Sequence, residues 1–136
     1  MSKTITEIKA MQIVSEFLDE LKKEDEDNIL ALYVIGSLGG GYYRPGKSDI
    51  DTVIIVKDEY RLTQKQVNEI ANKYWKKYDI PKGFGSVLMR MSELSPPYTR
   101  NEEFFMLEIA RLKTQGKAVY GVIDLNNIKR DLPRLA

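Results

Sequence analysis

A chain of 136 residues with 43% hydrophobic and 30% charged residues has the balance of a folded globular protein and the length of one ordinary domain. Its 21 basic and 20 acidic residues leave a net charge of +1, which argues against electrostatic coating of nucleic acid and leaves room for a local basic pocket. The chain has no cysteine and no histidine, which excludes disulfides, cysteine-ligated zinc, a Ser-His-Asp triad and an imidazole general base; chemistry must run on carboxylates, amines, hydroxyls and hard cations such as Mg²⁺.

The first ten residues carry Lys3, Glu7 and Lys9 and form no signal-like apolar run, and no stretch approaches the ~18 apolar residues of a membrane span. A cytoplasmic protein without a membrane partner is the expectation. Apolar residues at helical spacing (Ile8, Met11, Val14, Phe17, Leu18, Leu21) predict a helix over residues 4–24, ended by the charged, solvated run 22–27. Ile29–Ile35 is a continuous apolar run suited to a strand buried on both faces. A glycine-rich turn and loop covers residues 36–48, and residues 51–57, rich in β-branched side chains, read as a second strand. A polar turn and helix follow over residues 58–77, with Val67, Ile70, Ala71, Tyr74 and Trp75 on one face. Pro81, Gly83 and Gly85 mark a turn, residues 86–91 a third strand, and Ser95 to Pro97 a break. Residues 101–115 form a helix with Phe105, Ile109 and Leu112 inward and Gly116 as its stop; residues 117–120 form a short strand, and a polar tail closes the chain. With no repeat and no linker, residues 1–136 read as one domain of the α/β (α+β) class, a small mixed sheet flanked by helices.

The chemistry concentrates in residues 36–51. Gly36 permits a sharp turn and close approach to a ligand, and Ser37 offers a hydroxyl and a backbone N–H to a phosphate oxygen. Asp49 and Asp51 are two apart at a strand entry, so both project from one face about 6–7 Å apart, a spacing that lets two carboxylates close on one hard cation. Ile50, Thr52 and Ile54 point to the other face, while Val53 and Ile55 continue below the aspartates. Arg44 and Lys47 in the intervening loop are placed to neutralise terminal phosphates, or else form a solvated loop tip. Tyr42 and Tyr43 either stack on a base or pack against the domain, and the stripe of Phe104, Phe105 and Ile109 is core or a partner surface. Arg90, unusual in a buried strand, is expected to pair with Asp49 or Asp51 in place of part of a metal's charge.

A strand, Gly-Ser, eleven intervening residues and Asp-Ile-Asp at the head of an apolar strand resemble the signature of the polymerase-β-like nucleotidyltransferase superfamily, most of all its minimal nucleotidyltransferase branch and the related aminoglycoside nucleotidyltransferases. The run from Phe104 to Gly121, a helix, a glycine and a short apolar run closing in Tyr-Gly, resembles the end of small members. The resemblance implies a nucleotidyltransferase fold. It also implies Gly36 and Ser37 on a triphosphate (ATP foremost), with Arg44 and Lys47 nearby, and Asp49 and Asp51 as catalytic ligands of Mg²⁺. The implied reaction is transfer of a nucleoside monophosphate to a hydroxyl. A third carboxylate is expected near Ser86 or Leu88, where neither residue is acidic; Asp79 and Glu93 flank that strand and Asp124 lies outside the pattern. The resemblance therefore leaves three roles open: an enzyme, an antitoxin-like partner of a HEPN toxin, and a nucleotide binder with weak or no turnover. Its acceptor site would be completed by a second subunit or a partner protein, and nucleic acid enters only as an acceptor.

Overall fold

The computed structural model describes residues 4–96, 100–125 and 128; the polar tail expected beyond Gly121 lies largely outside the described residues, as does Pro97. Helix α1 spans Glu7–Asp25, later than expected because Thr6 caps it, accepting a hydrogen bond from the Lys9 N–H at 3.1 Å. Its buried stripe is Ala10, Ile13, Val14, Phe17, Leu18 and Leu21, while Ile8 is 74% exposed, so the helix sits rotated from the face first read. Ala10 and Ile13 complete the 3–4 spacing that Ile8 and Met11 only partly fill.

Strands β1 (Ile29–Ile35), β2 (Ile50–Val56), β3 (Phe84–Arg90) and β4 (Lys117–Tyr120) form one mixed sheet in the order β3-β2-β1-β4. β1 runs antiparallel to both β2 and β4, and β2 runs parallel to β3 through the crossover helix α3 (Gln64–Tyr78). The apolar runs of β1 and β2 now have their reason: both are inner strands with a core on each face. On one side Ile50, Ile54, Leu32 and Val34 meet Ile13, Phe17 and Val67 of α1 and α3. On the other, Val53, Ile55, Tyr33 and Met89 meet Phe105, Ile109 and Leu112 of helix α4 (Glu103–Gln115). The ring of Phe17 lies edge-on to Phe84 at 4.8 Å and to Tyr74 at 6.1 Å, tying the two helices to the sheet.

The crossover helix is set by a capping box between Thr63 and Gln66. Its first residue, Gln64, closes the outer edge of β3: Nε2 donates to the Ser86 carbonyl and Oε1 accepts from the Leu88 N–H, both at 2.7 Å. Trp75, read as inward-facing, is 42% exposed and covers the Gly83 turn instead.

Residues 36–48 are not loop throughout. Helix α2 (Gly36–Gly40) starts where β1 stops, buries Leu38, and ends at Gly41 with φ 83°. Glycine-rich sequence disfavours helix; here it permits the packing, because a Cβ on Gly39 would run into the carbonyl oxygens of Val34 and Gln115. Arg90 pairs in register with Val56 at the far end of β2 from Asp51, and donates to the carbonyls of Asp58 (3.2 Å), Tyr60 (3.1 Å) and Leu62 (2.9 Å). It anchors the loop after β2, so the expected pairing with Asp49 or Asp51 is corrected. Among the described residues no helix is long and apolar enough to cross a membrane.

Substituting Gly39→Ala is expected to destabilise the fold by about 1–3 kcal/mol through overpacking between β1 and the end of α4, read as a lower urea midpoint at unchanged slope.

Candidate functional site

The sheet register brings three backbone ends together. Asp51 stands opposite Ile35, the last residue of β1, and opposite Gly85 near the start of β3. The chain leaving β1 at Gly36 therefore starts beside the two aspartates. Gly36 takes φ 65°, and a Cβ there would lie 2.9 Å from Arg111 Nη2 and 3.2 Å from Asp51 Oδ2, so both backbone and space require glycine.

One cavity of about 330 Å³ is lined by Gly36, Ser37, Arg44, Lys47, Asp49 and Asp51, the six residues that the resemblance implied for nucleotide and metal, together with Tyr42, Ser48, Lys82 and Arg111. The Ser37 hydroxyl is shielded from solvent and makes no hydrogen bond among the described residues. A buried hydroxyl left unpaired costs about 1–3 kcal/mol, which an oxygen of a bound ligand would offset. The loop carrying Arg44 and Lys47 is a closed turn: Ser48 Oγ accepts from the Arg44 N–H at 2.9 Å, and the N–H groups of Lys47 and Ser48 donate to the Arg44 carbonyl. Tyr43 packs, its hydroxyl donating to the Ile5 carbonyl at 2.8 Å, whereas Tyr42 is 56% exposed at the cavity rim.

A second cavity of about 300 Å³ lies on the other side of Asp51, lined among others by Gln64, Asn68, Ser86, Arg100, Phe104 and Glu108; Asp51 and Arg111 line both cavities. The Ser86 hydroxyl at its wall is also buried without a partner among the described residues. Arg111 of α4 spans the wall, donating from Nη2 to Asp51 Oδ2 at 3.2 Å and from Nη1 to Glu108 Oε1 at 2.9 Å. The Glu108 side chain is 7% exposed. Burial pushes the Asp51 carboxyl up to about 6; the charges of Asp49 and Glu108 push the same way, and Arg111 opposes them. Burial works against the charge of Arg111, but Glu108 and then Asp51 outweigh it and raise its pKa.

Arg111, Glu108 and Lys82 escaped the sequence reading. The signal for the first two was present: positions 108 and 111 fall within the inward stripe of Phe105, Ile109 and Leu112, where an ionised pair has no structural reason to sit. The strand positions where a third acid was expected, Ser86 and Leu88, carry none. Glu93 accepts from the Arg90 N–H at 2.7 Å and from Arg100 at 3.3 Å, Asp79 caps α3, and Asp124 lines a separate pocket; none of the three lines either cavity.

The donor set fits a hard divalent cation. Two carboxylates line one cavity, and the charge of Asp49 already weighs on Asp51. Among the described residues no cluster of three or more acids could hold a metal. Two carboxylates with substrate phosphates and water completing the shell is the usual way Mg²⁺ is bound.

Residues 14–96 match the nucleotidyltransferase domain family model. The chain belongs to that family. No curated protein matches it in sequence. Among solved structures it is similar to spectinomycin adenyltransferase AAD(9) from Enterococcus faecialis, in a structure with ATP and spectinomycin, at TM-score 0.61 and 17% identity; 93% of this chain is covered and it spans 60% of that one. It is also similar to a chain of the tri-AMPylated Shewanella oneidensis HEPN toxin in complex with MNT antitoxin, at TM-score 0.51 and 17% identity, covering 86% and 74% of the two chains. A toxin-antitoxin structure with AMP-PNP gives TM-score 0.50 and 20% identity over 79% and 73%. These likenesses share the fold: the nucleotidyltransferase domain is a four-stranded mixed sheet with helices on both faces.

Because the folded-state pKa of Asp51 lies above the ordinary carboxylate value, folding takes up a proton in the window from about 4 to about 6, and the stability linked to that proton is lost as pH rises through about 6. Asp51→Asn removes the titration. In chelator-treated protein the variant is expected to gain stability relative to the parent as pH rises from about 4 to about 6 and to keep that gain above it, measured by urea unfolding; a difference that stays flat between about pH 4 and 6 would contradict it.

Proposed function

We propose that this nucleotidyltransferase domain is a Mg²⁺-dependent enzyme that binds a nucleoside triphosphate, ATP foremost, and transfers its nucleoside monophosphate to a hydroxyl acceptor. The observation that carries the reading is the buried, unpaired Ser37 hydroxyl in a cavity shared by two carboxylates and the cations Arg44, Lys47 and Lys82. An anion with several oxygens and a hard cation together satisfy every one of those groups.

Gly36 lets the backbone approach the phosphates and Ser37 donates its hydroxyl to one of their oxygens. Arg44 and Lys47 pair with the terminal phosphates. Asp49 and Asp51 hold the metal, which when bound supplies charge neutralisation on the phosphates. The acceptor hydroxyl enters from the second cavity; its oxygen bonds to the α-phosphorus as the bond to pyrophosphate breaks. Glu108 is, with Asp51, one of two acids lining that cavity, and it stands where the hydroxyl proton can be taken up in the absence of an acid on β3. The similarity to an adenyltransferase with bound ATP supports the nucleotide, and the antitoxin likeness keeps a second reading in view. In that reading the acceptor belongs to a partner protein, such as a HEPN toxin, and Phe104 and Leu107 (62% and 43% exposed), with Phe104 lining the second cavity, are the surface it meets.

The test is label transfer from α-labelled ATP with Mg²⁺ to candidate small-molecule, RNA and protein acceptors. The Asp49→Ala, Asp51→Ala double variant is expected to lose transfer and metal-dependent nucleotide binding. Ser37→Ala is expected to weaken triphosphate binding by about tenfold, about 1.4 kcal/mol. Equal nucleotide and metal binding by parent and double variant, with no transfer by either, would end the reading.

A further inference from the structure

The transfer chemistry leaves Arg111 without a task, although it lies at the centre of the site. Its guanidinium holds Asp51 through Nη2 and Glu108 through Nη1, and it lines both cavities. It is a packed side chain, 38% exposed, whose Nη2 would be 2.9 Å from a Cβ on Gly36, so it rests on the turn that opens the phosphate cavity.

We propose that Arg111 is a stand-in cation for the Asp51 carboxylate: a divalent metal and a triphosphate entering together take Asp51 from it, and the released guanidinium pairs with the triphosphate, so that each ligand binds tightly only with the other. The inference rests on the proposed nucleotide and metal site and adds to it a coupling between the two ligands.

Three observations carry it. The oxygen that Arg111 occupies, Asp51 Oδ2, belongs to a carboxylate that a metal in this cavity must use, because Asp49 and Asp51 are the two acids lining it. Arginine cannot shed its charge to make room, so a metal arriving alone meets a fixed positive neighbour that holds one of the two Asp51 oxygens. A triphosphate alone meets two carboxylates in the same cavity, of which Arg111 pairs with Asp51 through one oxygen. The two together remove both conflicts: the metal takes the carboxylates, and the polyanion offers Arg111 a new partner on the side it already lines. Glu108 keeps the guanidinium anchored by its other nitrogen, so the exchange requires a swing about that contact and no unpairing of the buried Glu108.

The experiment measures Mn²⁺ binding by electron paramagnetic resonance, and binding of a non-hydrolysable ATP analogue by calorimetry, each with and without the other, on the full chain. In the parent each ligand is expected to tighten the other by about tenfold or more, and by the same factor from either side, as linkage demands. R111Q is expected to bind Mn²⁺ alone more tightly than the parent and to lower the coupling factor severalfold, leaving the part that comes from direct contact of phosphate with metal; R111K, a shorter cation without the two-pronged geometry, falls between. A purely structural arginine would leave the coupling factor unchanged when replaced, and that result overturns the inference. So does a parent coupling factor near one while both ligands bind. If the parent binds neither Mn²⁺ nor the analogue, the proposed site itself fails and the inference with it. If R111Q does not fold, R111K decides by the same criterion: an unreduced coupling factor overturns.

Discussion

A carboxylate pulled out of water at the meeting of three strand ends is the constraint around which this domain is arranged. Asp51 sits opposite Ile35 on one side and Gly85 on the other, with its side chain 27% exposed. A charge so placed must be paired, protonated or metal-bound. The neighbours are chosen accordingly. Gly36 lacks the Cβ that would crowd both Asp51 and Arg111, and Arg111 reaches across from α4 to supply positive charge. Even so, the carboxyl is held up near 6 by burial and by Asp49. On the proposed reading, a bound cation would relieve that penalty.

The same logic explains two of the three buried hydroxyls without a partner among the described residues; the third, on Tyr60, lines neither cavity. Ser37 and Ser86 lie on opposite sides of Asp51, one in each cavity, both shielded and both without a partner among the described residues. Two buried polar groups left open, one at each of the two cavities that share Asp51, fit the proposed reading of one approach for the anion and one for what it reacts with. The rigid parts of the fold hold these approaches apart. Gln64 locks the edge of β3 that carries Ser86, while α2, wedged against β1 and α4 through Gly39, fixes Ser37.

What was legible in the sequence was contiguous in it. Gly36, Ser37, Arg44, Lys47, Asp49 and Asp51 fall within sixteen positions, so spacing alone brought them together, and the continuous apolar runs of β1 and β2 announced inner strands. Arg111 reaches Asp51 from sixty positions away, and no local pattern gives the crossing that makes them neighbours. The error over Arg90 has the same origin. Its charge was rightly seen as needing a partner, but four residues beyond Ser86 is about 13 Å further along the strand, and the parallel register carries it to the wrong end of β2. Alternation tells which face a residue takes and says nothing about which end of the neighbouring strand it meets. The α2 turn was hidden for a different reason: packing of Leu38 and the close approach at Gly39 overrode a glycine-rich sequence with little helix propensity.

The strand position where a third acid was expected has a physical reason to lack one. β3 meets Asp51 and Thr52 with two small residues, Gly85 and Ser86, and the Gly85 carbonyl accepts the Thr52 hydroxyl at 3.0 Å. An acid at position 86 would bring a further buried negative charge beside Asp51 and Glu108, with Arg111 already shared between those two. Moving the carboxylate from β3 to α4 removes that crowding: Glu108 reaches the same cavity from the opposite wall and brings its own arginine three residues later on the same helix face. On the proposed reading, Glu108 and Arg111 of α4 stand in for the expected strand carboxylate, and Arg111 is the cation that a metal replaces.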